Sequence, residues 1–206
     1  MTAQYKSYQE EQSETLSLIV CHLKKNSSRI RAELENEISD YLAFRAEVDD
    51  FHARHLGDIC TMKCYKSNLS ACCSKEGVIT FFADVVINVI MSDPTDIDIL
   101  KAALEKQNDG FKCVYLGEKG CMWKIKPIVC EMFICDTAKK QALHGSPKPK
   151  REWDALKKKE KIFTWPDRPV LFDEIESYFM AAGCYSPLMY MHNSPGLLRV
   201  KKMRGM

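Results

Sequence analysis

From about residue 10 to residue 56 apolar positions recur every three to four residues, which predicts helix in two pieces. Leu16, Ile19, Val20 and Leu23 share one face of the first piece. Ile30, Leu34, Ile38, Tyr41, Leu42, Val48, Phe51 and His55 mark the second, with charged residues between them. Asn26-Ser27-Ser28 breaks the pattern, and Ser27 or Ser28 is a suitable N-cap. Further on, Val78-Ile79 reads as a short strand and Thr80 as the cap of a buried helix running through Met91. The longest apolar run, Val85 to Met91, is interrupted by Asn88. After a turn at Asp93-Pro94-Thr95-Asp96, Thr95 and Asp98 have the spacing of a capping box. They open a helix to about Lys106 with Ile97, Leu100 and Leu104 inward.

Where the period is lost, the residue types change. Cys60, Cys64, Cys72 and Cys73 follow Gly57 in a stretch with neither a helical nor a strand repeat, read as a structured loop. Phe111 to Leu116 and Cys121 to Trp123 read as short extended pieces around the turn Gly117-Glu118-Lys119-Gly120. Pro127 opens a short helix at a favoured first position. His144 to Lys150 reads as a loop, Arg151 to Ile162 as a lysine-rich helix, and Trp165 to Pro169 as a rigid connector. Leu171, Ile175, Phe179 and Met180 then mark an amphipathic helix, Val170 to Ala182, closed by Gly183. The expected fold is mainly α: a helical domain with short extended segments and loops around a cysteine-rich metal site. One domain over 1–206 is expected. It would comprise amino-terminal helices at 1–56, a cysteine-cluster core at 57–136, and carboxy-terminal helices with a basic tail at 137–206.

Composition narrows the function. The chain has 206 residues, 46% of them hydrophobic and 28% charged, enough to bury a sizeable core. A formal net charge of +2 does not by itself imply a nucleic-acid partner, and the basic tail is the sole argument for one. No run approaches the length of a membrane-spanning helix, so no membrane partner is expected. The first residues lack the apolar core of a secretory signal, so a cytoplasmic location is expected. Thiols stay reduced there, so clustered cysteines read as metal ligands or catalytic groups before disulfides.

Eight of the ten cysteines lie between Cys60 and Cys135. The second group is Cys113, Cys121, Cys130 and Cys135. Thiolate sulfur selects zinc, copper(I) or iron–sulfur clusters over hard cations. The glycine-rich turn lets backbone approach a cluster closely. Cys130, in the first turn of the Pro127 helix, would sit among free N–H groups that favour a thiolate. Four thiolates around Zn²⁺ or a [4Fe–4S] core carry a formal charge of about −2. Lys63, Lys66, Lys75, Lys112, Lys119, Lys124 and Lys126 could offset it or simply be solvated. Neighbouring Cys72 and Cys73 would point apart, so one binds and the other packs, or they serve two centres. His52 and His55 fit a packed helix face better than ligation. Cys21 and Cys184 read as bystanders.

The segment from Cys113 to Cys135 resembles the YkgJ-like cysteine-cluster (CxxCxxCC) family of zinc- or iron-chelating proteins. The matching positions are Cys113, Leu116, Cys121, Pro127, Cys130 and Phe133, with Cys72-Cys73 matching the end of the family's first motif. The first motif is stretched here to C-x3-C-x7-C-C, Lys126 replaces the usual Arg, and Glu131 replaces an Arg after the third cysteine. The resemblance covers about a third of the chain and implies metal binding. Flagellin lysine methylases carry a similar double cysteine arrangement.

Three readings follow. The first is a cytosolic metal-binding protein with an all-cysteine site, an iron–sulfur cluster in preference to zinc, in a redox or accessory role. The second is a structural zinc module of a protein-interaction protein, with 148–161 as a docking surface. The third is a protein-modifying enzyme related to the flagellin methylases. No G-x-G-x-x-G loop and no nucleophile–base pair stands out for that third reading.

Overall fold

The computed structural model describes residues 7–26, 28–59, 73–74, 79–117, 120–145, 147–165 and 169–189. The first elements are α1 (Tyr8–Lys25), α2 (Ser28–Glu37), α3 (Ser39–His55) and a short α4 (Gly57–Ile59). Next come α5 (Phe82–Met91), α6 (Pro94–Leu104), and the paired strands β1 (Leu116–Gly117) and β2 (Gly120–Cys121). Then follow α7 (Ile128–Glu131) and α8 (Asp136–Ala138), which runs into a π-helical turn over Lys139–Leu143. The last elements are α9 (Pro147–Thr164) and α10 (Leu171–Ala181). The fold is mainly α, as the apolar period predicts.

Helix α5 is the centre of the packing. Every residue from Phe82 to Ile90 is buried, the pattern of a helix enclosed on all sides. Helices α1, α2 and α10 lie against it, α6 lies on α1, and α9 bridges α3 and α10. Rings fill the layer between α3, α9 and α10: Phe44 stacks on Phe163 with centroids 5.5 Å apart, and Tyr41 meets Phe163 and Phe172 edge-on. Burying each such apolar side chain contributes roughly 1.5–3 kcal/mol.

Several boundaries differ from the sequence reading. The second helical piece is two helices, α2 and α3, meeting at fully buried Ile38. The hydrogen-bond ladder runs through the joint (Ile38 N–H to Leu34 O at 3.1 Å, Leu42 N–H to Ile38 O at 2.9 Å). The departure is therefore a kink that turns one apolar face without breaking the chain of bonds. Phe81, not Thr80, precedes α5: its N–H donates to Asp84 Oδ2 at 3.0 Å, while the Thr80 hydroxyl meets Tyr8 Oη at 3.2 Å. The box opening α6 is Asp93 with Asp96, because Pro94 takes the first helical position, where its missing N–H costs nothing.

Helix α9 begins at Pro147, so part of the expected loop is helix. Both Pro147 and Pro149 sit in its first turn, where the absent N–H would have no intrahelical partner. Val78, Ser27 and the 166–168 connector lie outside the described residues. Ile79 belongs to no regular element. Gly183 closes α10 as expected, at φ +75°. Its N–H donates to Met180 O and the Cys184 N–H to Phe179 O, both at 2.9 Å, a Schellman closure. Among the described residues, no helix is long and apolar enough to cross a membrane.

Candidate metal centre

The thiols sit where the helical frame gives way to irregular backbone. Cys60, Cys64 and Cys72 lie outside the described residues. Cys73, Cys113, Cys121, Cys130 and Cys135 are described, and all are half-buried. The Cys113 N–H donates to Cys73 O at 2.9 Å, and Ser74 bridges Lys112 antiparallel. The end of the first thiol group is thus laid beside the start of the second, about forty residues on.

Cys113 and Cys121 flank the small hairpin. Leu116 pairs with Cys121 and Gly117 with Gly120. Gly120 adopts φ +108°, a conformation that favours glycine. A Cβ on Gly117 would stand 3.1 Å from Met122 Cε, so this face of the hairpin is closely packed. Burial pushes the Cys113 thiol up to about 11, opposed by a hydrogen bond from the Tyr115 N–H, with Cys121 adding to the rise. Burial also raises the Cys121 thiol, opposed by the Trp123 N–H and the Lys126 ammonium, while Glu131 adds to the rise. In both cases the N–H belongs to the second residue after the cysteine. Two short loops therefore present sulfur and a supporting amide in the same way.

Cys130 is the third residue of α7, which Pro127 precedes as N-cap, one place earlier than the sequence suggests. The half-buried phenol of Tyr8 lies within electrostatic reach of Cys113, Cys130 and Cys121. Its own proton is held mainly by burial, with the three thiols adding to that hold. Cys135 lies farther along, as the residue before α8, with its carbonyl accepting the Lys139 N–H at 2.9 Å.

Among the described residues, no three His, Cys, Asp or Glu side chains converge closely enough to hold a metal ion. The described thiols by themselves do not close a site. A full donor set would have to draw on Cys60, Cys64 or Cys72.

The irregular segment is fastened by polar side chains to which the sequence reading gave no such role. Asp84 Oδ1 accepts the Ile128 N–H at 2.9 Å, and Asn88 Oδ1 accepts the Ile125 N–H at 2.9 Å. Arg45, 4% exposed, donates to Lys126 O and to Tyr41 Oη, both at 2.9 Å. Glu131, 1% exposed, has His52 Nδ1 at 2.7 Å, Lys126 Nζ at 2.9 Å and Arg45 at 3.7 Å. These are close charge contacts without the alignment of full hydrogen bonds. Burial would raise the Glu131 carboxyl, but His52 and Lys126 outweigh it and hold it down at about 2. Glu131 thus stands between cations, and its neighbour Cys130 is anchored through it to α3.

His52 is engaged with Glu131 and stacks on Trp153, and His55 lies 3.6 Å from Glu152. Lys124 lies 3.9 Å from Asp96. Lys63, Lys66, Lys75 and Lys119 lie outside the described residues. Cys21 is exposed. Cys184 has a partner distant in sequence, the His22 ring, at 3.4 Å. An unexpected Asn inside an apolar run, and an Asp immediately before one, were the available signals for Asn88 and Asp84. Nothing local signalled Arg45 or the Cys184 pair.

No protein-family model, curated protein or solved structure matches this chain.

Proposed function

We propose that this is a cytosolic metal-binding protein with an all-cysteine site holding an iron–sulfur cluster, in a redox or accessory role beside a partner protein. The observation that supports this most is the paired arrangement at Cys113 and Cys121. Each half-buried sulfur receives the N–H of the second following residue, across a glycine hairpin. Amide hydrogen bonds to sulfur offset thiolate charge and tune cluster potentials. Cys130, in reach of the same Tyr8 phenol, is the third donor, and the Cys60–Cys73 group supplies the rest. An iron–sulfur cluster bound there would supply one-electron chemistry. Lys126 and the two amides offset its negative charge, and Arg45, His52 and Glu131 hold Cys130 in place.

Raised thiol pKa values also mean that metal uptake near neutral pH releases protons, so affinity rises with pH. The test is a Cys-to-Ser series on protein prepared without oxygen, read as bound metal per chain. Cys113→Ser, Cys121→Ser and Cys130→Ser are expected to lose most of the metal, and Cys21→Ser to keep it. Full retention in all three site variants would overturn the assignment.

A further inference from the structure

Away from the thiol cluster, the ends of α1 and α10 build a second sulfur site. Cys184 Sγ lies 3.4 Å from His22 Nδ1, and the other ring nitrogen, Nε2, lies 3.0 Å from Tyr178 Oη. The ring is further fixed by Phe179, 4.7 Å away between centroids, and by Asn26, whose amide donates to His22 O at 2.7 Å. The Schellman closure of α10 sets the Cys184 backbone, so the sulfur is placed by a rigid turn. In the tautomer with Nε2–H donating to Tyr178, Nδ1 offers a lone pair that the thiol shares with the Asn26 amide nitrogen, 3.3 Å away. A nucleophile, a base within reach and a third group orienting the base are the parts of an activated thiol. Cys184 is half-buried and therefore reachable by a small molecule.

We propose that Cys184 is a reactive thiol, activated by His22 and oriented by Tyr178, that is modified by small uncharged hydroperoxides. The thiol proton passes to His22 Nδ1, and the sulfur attacks the terminal peroxide oxygen. An S–O bond forms as the O–O bond breaks. The leaving alkoxide or hydroxide takes the proton from His22, giving a sulfenic acid and an alcohol or water. Sulfur loses two electrons and the peroxide gains them. Among the described residues, Glu33 and Glu37 of α2 act electrostatically on Tyr178 and Glu174 of α10 acts on Glu37, while Lys24 and Lys25 share the last turn of α1 with His22. The carboxylates that act on Tyr178 disfavour anionic reagents there.

Cys21, exposed on the same helix one residue before His22, is the internal reference. Intact protein is treated at pH 6.5 with iodoacetamide or iodoacetate, and separately with hydrogen peroxide and dimedone, then mapped by peptide mass spectrometry. The expected result is Cys184 alkylated by iodoacetamide about threefold or more faster than Cys21, since a base within reach takes the thiol proton as the sulfur attacks. Iodoacetate should lose much of that advantage, dimedone should label Cys184, and His22→Gln should bring its rate down to that of Cys21. Equal rates at the two cysteines in the unaltered protein, or a His22→Gln rate unchanged in a variant with native circular dichroism, would overturn the proposal.

Discussion

The helices around α5 and the segment from Cys113 to Cys135 are buried against the same core, but their backbones find hydrogen bonds in opposite ways. The long helices satisfy themselves internally, so α5 can be apolar on every side. The cysteine segment has little regular structure, and its buried amides and carbonyls take partners from helix side chains: Asp84 for Ile128, Asn88 for Ile125, Arg45 for Lys126. Three of the polar residues buried in the frame thus serve the irregular part. Stability of the frame and shape of the site should therefore respond to different substitutions.

The largest expected effect comes from Glu131→Ala. It leaves Arg45 buried with its nearest carboxylate gone, and breaking a buried pair from one side costs about 3–5 kcal/mol. Denaturant unfolding should show that loss, and bound metal should fall with it, because Cys130 adjoins Glu131. A stability loss below about 1 kcal/mol would mean the anchors contribute little.

Asp84 separates the two regions by pH. Burial pushes its carboxyl up from 3.8 to about 7, against the Ile128 and Phe81 N–H groups and Arg45. A carboxyl raised on folding contributes stability below its unfolded value, and that contribution is lost as pH rises through about 7. Asp84→Asn has no such titration but keeps one acceptor oxygen for two amides. It should be less stable than the unaltered protein by about 1–2 kcal/mol at pH 5, with the gap closing and the order reversing by pH 8. A gap that does not change with pH would contradict the buried-carboxyl account.

How much of this was legible beforehand follows from the same contrast. Regular helices announce themselves through period and caps, so α5, α6 and α10 were readable to within a few residues. Proline at a helix start was the recurrent trap: Pro94 and Pro147 both lie in the first turn, where sequence reading placed a turn and a loop. The bond between Cys113 and Cys73, the reach of Arg45 to Lys126, and the Cys184–His22 contact join residues far apart in the chain. No local pattern encodes such pairs. The thiols themselves were visible as a count and a spacing, whereas the amides that support Cys113 and Cys121 appear only once the hairpin is formed.

The smallest effect is expected from the frame. Ile87, fully buried on α5, has an apolar side chain that makes none of the anchoring hydrogen bonds. Ile87→Val should cost about 1 kcal/mol in unfolding and leave metal content unchanged. A loss of metal in this variant would show that core packing and site are coupled after all.

The central claim is that the thiols bind a metal cluster, and metal and acid-labile sulfide analysis of protein purified without oxygen tests it most directly. The account predicts iron and sulfide in matching, stoichiometric amounts in a brown protein. A colourless protein carrying zinc alone would contradict the cluster, and one carrying no metal would contradict the site.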